Sequence, residues 1–200
     1  MEFRLIYKGP LPSEGRGGGG GRNEEKHHIR VVMHDQLRAL WREHPVLRDY
    51  ETQDAEGGRV RWDWLADNYQ KCNMRFLPLV NNKAGLACAL DILFLRRDPP
   101  GSPLISGGDI DNRLKVLLDG LKMPRDCSQL PTNWKPGPTH DPMFCLMEDD
   151  NLITEIKVTT DRLLIPLAED EHRNEVEVVV HVTTKILNPW TVSVGGFPQV

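Results

Sequence analysis

Leu86-Ala87-Cys88-Ala89-Leu90-Asp91-Ile92-Leu93-Phe94-Leu95 is apolar at every position but Asp91. A strand with one face in water alternates apolar and polar residues, so a nearly unbroken apolar run predicts a strand lying centrally in a sheet. Asn73 to Val80, just upstream, reads as a second strand, and Asn81-Asn82-Lys83-Ala84-Gly85 between the two has the turn chemistry of a hairpin. Downstream, Leu152 to Thr160 and Glu175 to Thr184 read as closing strands, the latter with Val176, Val178, Val180 and Val182 on one face. At the other end, Phe3, Leu5 and Tyr7 mark a short opening strand. It ends at the Gly9-Pro10-Leu11-Pro12-Ser13 bend, because proline cannot donate to a ladder.

Helical spacing appears between these strands. Ile29, Val32, Met33, Leu37, Leu40 and Trp41 predict an amphipathic helix from Asn23 to His44, with Asn23 as its N-cap and Pro45 as its stop. Lys26, Arg30, His34, Arg38 and Arg42 follow every four residues on its other face, a basic stripe that suits either plain solvation or a phosphate backbone. Trp62, Leu65, Ala66 and Tyr69 suggest a short second helix, and Leu114, Leu117, Leu118 and Leu121 mark a third from about Ile110 to Lys122. This order predicts an α+β fold, a mixed β-sheet with helices packed on one side. Residues 1–200 read as a single domain with a flexible Gly-rich loop over 13–23 and a long irregular insertion over 123–147.

Two hundred residues suffice for one core without staples. With 39% hydrophobic and 27% charged residues and no apolar run near the length of a membrane span, the composition is that of a globular protein with no membrane partner. The N-terminal residues lack the apolar core of a signal peptide, so the expected compartment is the cytosol. Cys72, Cys88, Cys127 and Cys145 are widely spread, with no C-x-x-C pair, and are expected to be free thiols. Net charge is -4, but it is uneven: Met1 to Arg48 holds 9 Lys and Arg against 6 Asp and Glu, and Asp141 to Val180 holds 3 against 11. A nucleic-acid partner would have to be met by local basic patches.

The residue types that carry chemistry cluster at Gly107-Gly108-Asp109-Ile110-Asp111-Asn112-Arg113-Leu114-Lys115, a loop entering a helix, with Lys115 one turn beyond Asp111. Glu148-Asp149-Asp150 stands just before a strand and could fold back onto the first acids. Carboxylates so concentrated repel unless a cation sits among them, and hard oxygen donors suit Mg²⁺. An ordinary reading stands beside this one: first-turn aspartates cap amides and complement the helix dipole, and Asp111 with Lys115 is a common i to i+4 pair.

The run Asp109-x-Asp111-Asn112-x-x-Lys115, with Asp119 later in the helix and Asp149-Asp150-x-x-Ile153 at the head of a strand, resembles the signature of RusA-type Holliday junction resolvases. The likeness in element order covers the chain from Phe3 to about Ile186, although the insertion at 123–147 is far longer than the turn compact family members use there. The resemblance implies an Mg²⁺-dependent endonuclease, with Mn²⁺ as a substitute, that resolves four-way DNA junctions by paired nicks as a homodimer in the cytoplasm of a bacterial or phage-infected cell, without a nucleotide cofactor. It implies that Asp109, Asp111 and Asp150 bind metal, that Lys115 is the catalytic lysine, and that Asp119 and Asp149 support them. Adjacent acids on a strand face opposite ways, so one of Asp149 and Asp150 enters the site, and the family pattern favours Asp150. Arg16, Arg22, Arg30, Arg38, Arg96 and Arg97 are candidates for DNA backbone contacts. Two other readings remain: a nuclease for flaps, forks or other branched DNA, and a silent DNA-binding or assembly module whose acids only cap a helix. In the insertion, Cys127, His140 and Cys145 match no standard zinc spacing, and Trp134 reads as an anchor or as a platform for an unpaired base.

Overall fold

The structure, a computed structural model, describes residues 1–11, 19–51, 61–97, 110–164 and 175–187. Its elements are β1 (Glu2–Pro10), α1 (Gly19–Glu43), α2 (Arg61–Ala66), β2 (Gln70–Lys71), β3 (Met74–Val80), β4 (Leu86–Arg96), α3 (Ile110–Leu121), β5 (Met143–Met147), β6 (Ile153–Arg162) and β7 (Glu175–Ile186). The apolar run does take an inner place. β4 pairs antiparallel with β7 and parallel with β6, and β1 adds antiparallel to β7, giving the order β1-β7-β4-β6. The fold is therefore mixed α+β. One face of this sheet, with Leu5, Tyr7, Leu90, Ile92, Phe94, Val178 and Val180, belongs to a single core with Ile29, Met33, Leu37 and Trp41 of α1.

Four sequence expectations need correction. The turn at Asn81 to Gly85 forms, with Gly85 at φ 62° and the Asn81 side chain accepting from Ala84 N at 2.8 Å, but β3 and β4 do not make a hairpin. β3 belongs to a second sheet, β2-β3-β5, where it runs parallel to β5. The reason is that Met143-Phe144-Cys145-Leu146-Met147, placed by the sequence inside an irregular insertion, is a fully buried strand, and a wholly apolar strand needs a partner buried on both faces. Cys72 and Cys127 are not free thiols either: they form a disulfide, with Cα atoms 5.4 Å apart, and only Cys88 and Cys145 remain free. Cys72 and Asn73 form the two-residue tip of the β2–β3 hairpin, both with positive φ, as such tips require.

The expected solvent-facing stripe on α1 is corrected at its centre. α1 starts at Gly19, inside the glycine run, while residues 13–18 of the expected loop lie outside the described residues. His27, Arg30 and His34 are buried. Phe144 N donates to His34 Nδ1 at 3.0 Å and the Arg30 guanidinium donates to His27 Nδ1 at 3.3 Å, which puts the proton of each neutral ring on Nε2. His27 makes a T-shaped pair with Trp134 and His34 one with His140, with ring centroids 4.1 and 5.1 Å apart. The polar rank of α1 is thus the seat of the 123–147 segment, with Trp134 as an anchor. His27, His34 and His140 give no metal set, since an Nε2–H cannot ligate, and among the described residues no group of three ligating side chains forms.

The two long helices cross at Gly120, where an added Cβ would stand 2.6 Å from Ile29 Cγ2 and 3.1 Å from the Lys26 carbonyl. Only glycine permits this approach. Gly120→Ala is expected to cost about 1 to 3 kcal/mol by overpacking, seen as a lower urea midpoint; an unchanged midpoint would show that the helices can part freely.

Burial, with the neighbouring cation Arg30 for His27 and His140 for His34, pulls both imidazoles down to about 4, against about 6.5 in the unfolded chain. The unfolded state thus binds more protons between these values, so stability is fully present above pH 6.5 and falls as pH drops toward 4. Urea unfolding at pH 7, 5.5 and 4.5 should show this slope, and His34→Gln should flatten part of it; a slope identical in the variant would remove His34 from the account.

Candidate active site

α3 delivers most of the candidate side chains because its sequence is amphipathic: Val116, Leu117 and Leu121 are buried, while Asp111, Lys115 and Asp119 fall on the outer side. That side borders a cleft of about 510 Å³ lined by Lys26, Asp111, Leu114, Lys115, Leu118, Asp119, Lys122, Arg125, Gln129 and Asp150. Residues from α1, α3, the start of the insertion and the approach to β6 therefore share one depression. Asp109 and Arg16 lie outside the described residues, as does the side chain of Arg22.

The acids before β6 separate in role. Asp149 caps a single 3-10 turn, Asp150–Leu152, by accepting from Asn151 N at 3.1 Å, while Asp150 lines the cleft. Asp150 Oδ2 receives the Lys122 ammonium at 2.7 Å, and the same ammonium lies 3.1 Å from Asp119 Oδ1. Asp119 Oδ2 in turn receives Lys26 at 2.7 Å. Arg125 approaches Asp149 and Asp150, each at 3.5 Å. Lys122 held no place in the sequence argument; its signal was its position, seven residues beyond Lys115 and so on the same helical face.

These contacts set the charges. The Lys122 hydrogen bond holds the Asp150 carboxyl below its ordinary range against the opposing effect of burial. Burial pushes Asp119 upward, but the hydrogen bonds from Lys26 and Lys122 outweigh it and leave that carboxyl lowered as well. Burial likewise opposes the charge on Lys122, and the two carboxylates reverse the sign and raise it. The repulsion among acids that suggested a cation in the sequence is here offset by the chain's own Lys26, Lys122 and Arg125.

The cleft is long. α3 rises about 1.5 Å per residue, so Asp111 and Lys122 stand roughly 16 Å apart along its axis, with Asp150 against the Lys122 end. Arg30 is 1% exposed and turned inward: it donates to the Asp119 and Lys122 carbonyls at 2.9 and 3.2 Å and so caps the end of α3. It has no surface from which to meet a phosphate. Arg38 is partly exposed on α1. Arg96 and Arg97 lie at the end of β4, and Arg96 pairs with Arg162, at the opposite end of β6 from Asp150. The structure thus gathers Asp111, Lys115, Asp119 and Asp150 and leaves Arg30, Arg96 and Arg97 out of the cleft. Comparison of the chain with protein-family models, curated proteins and solved structures finds no match.

Lys122→Met should raise the carboxyl pKa of Asp150 toward the ordinary range and cost about 1 to 3 kcal/mol, a figure discounted because Asp150 is partly open to water. Carboxyl-carbon NMR titration reads the first and urea unfolding the second; an unmoved Asp150 titration would show that the contact does not form in solution.

Proposed function

We propose that the chain is a divalent-metal-dependent endonuclease of the RusA type that cleaves four-way DNA junctions as a homodimer. The observation that carries this reading is that Asp111 and Lys115, from the first turns of α3, and Asp150, from the approach to β6, line one long cleft whose other charged walls are Lys26, Asp119, Lys122 and Arg125. These are the positions that the resemblance to RusA-type resolvases marks, and the added cations suit a polyanionic substrate.

Asp111 and Asp150 carry the hard oxygen donors that Mg²⁺ or Mn²⁺ takes, but they stand toward opposite ends of the cleft, too far apart to share one ion in this arrangement. The resemblance assigns the ion to Asp109, Asp111 and Asp150; Asp109 lies outside the described residues, and among those described no group of three ligating side chains forms. When bound, such an ion activates water and offsets charge on the phosphoryl oxygens. The chain's own residues do the rest. Lys115, exposed one turn beyond Asp111, places a positive charge where the scissile phosphate would lie. Arg125 and Lys26 extend the cationic wall for flanking phosphates, while Asp119 and Lys122 orient Asp150. Paired symmetric nicks call for two such sites related by a two-fold axis.

A second reading has its own support. The chain's lysines already compensate Asp119 and Asp150, so the cleft is electrostatically complete without a metal and would serve a branched-DNA-binding module that does not cut. A labelled immobile junction beside matched duplex, with Mg²⁺ or EDTA, separates the two. Paired nicks that need Mg²⁺ and fall by about 100-fold or more in Asp111→Asn and Lys115→Ala are expected. Tight junction binding without cleavage under any divalent ion would overturn the nuclease reading in favour of the module.

A further inference from the structure

The Cys72–Cys127 disulfide closes a 55-residue separation and joins the β2–β3 hairpin tip to the first part of the insertion. Cys127 opens a single 3-10 turn, Cys127–Gln129, whose cap Asp126 accepts from Ser128 N at 2.8 Å. Arg125 and Gln129, on either side of that turn, are the two insertion residues in the wall of the charged cleft, and the Gln129 side chain accepts from Arg125 N at 2.9 Å. Most hydrogen bonds of this stretch are local. Beyond them it is tied to the rest of the protein by the disulfide, by Asn23 donating to the Ser128 carbonyl, by the Arg125 ion pairs, and farther along by Leu130 and Trp134 packed on the apolar cluster around Met74 and Met143. Arg125 to Ser128 are all exposed, and Cys72 sits at a left-handed φ of 56°, a conformation unfavourable for a residue with a Cβ. A covalent tie is thus made between two surface turns, at a place where a reductant can reach it.

We propose that this disulfide is a redox-operated strap that fixes the Arg125 and Gln129 wall of the cleft when closed and releases it when reduced. The reductant is a dithiol. One thiolate attacks Cys127 Sγ, the sulfur of the more exposed residue, forming a mixed disulfide as Cys72 Sγ leaves and takes a proton; the second thiol of the dithiol then displaces Cys127. Two electrons and two protons pass to the pair, and the dithiol leaves as its own disulfide. Opening the strap frees the stretch from Arg125 to Gln129, which lies between buried Pro124 and packed Leu130 and has only one turn of regular structure. Its effect on DNA rests on the nuclease reading above; the release of the segment does not.

The test uses limited trypsin digestion followed by mass analysis, on the chain oxidised with glutathione disulfide, on the same chain in dithiothreitol, and on Cys127→Ser. Cleavage after Arg125 is expected to be about tenfold faster in the reduced chain and in the variant than in the oxidised chain, with cleavage after Arg38 in α1 unchanged as the control. Equal rates at Arg125 in all three would overturn the strap, as would thiols at Cys72 and Cys127 that stay unpaired in the oxidising buffer. A loss of the redox difference in Cys127→Ser would support it, and none of these readings needs nuclease activity.

Discussion

The guanidinium of Arg30 is the interaction on which the candidate site depends. Rooted in α1 and almost closed to water, it spends its donors on the Asp119 and Lys122 carbonyls at the end of α3, which would otherwise be buried acceptors without partners. It thereby sets where the last turn of α3 stops, and with it the two residues whose side chains carry the charged network toward Asp150. Gly120 lies within that turn and lets the two helices come close enough for the reach to succeed. A residue placed by its charge among possible phosphate contacts is thus part of the frame beneath the cleft.

What the sequence made legible follows from how local each signal is. The apolar run of β4 and the valine alternation of β7 report burial directly, and both strands appear within two residues of their expected ends. α3 is legible for the same reason, its leucines falling at helical spacing. The hairpin at Asn81 to Gly85 misled because turn chemistry says that the chain bends, and says nothing about which strands then pair. The partner of β3 lies 67 residues ahead, at Met143–Met147, a run short enough to pass for loop among so many prolines.

The candidate site was legible as a set of residue types and not as an electrostatic balance. Acids at 109, 111, 149 and 150 are visible in one dimension; that Lys122 returns to sit between Asp119 and Asp150, or that Asp149 turns aside to cap its own turn, depends on the third. Burial of His27, Arg30 and His34 was hidden because α1 is covered on more than one side: by the sheet along its apolar rank, and by α3 and the insertion along its polar one. A periodic basic rank looks the same in sequence whether water or protein faces it.

Within its sheet the outer strand β1 pairs only with β7, with Leu5 beside Val180 and the Met1 carbonyl accepting from Thr184 N, while Gln36 of α1 bonds the Ile6 backbone on its other side. During synthesis from the amino end, β1 leaves the ribosome long before the strand that will receive it. Leu5 and Tyr7 can meet α1 early, but they remain without Val180 and Val178 of β7 until nearly all of the described chain has emerged. The nascent protein therefore carries β1 without its strand partner while β2 to β6 are made, and completion of the sheet is a late event that joins the first described strand to the last.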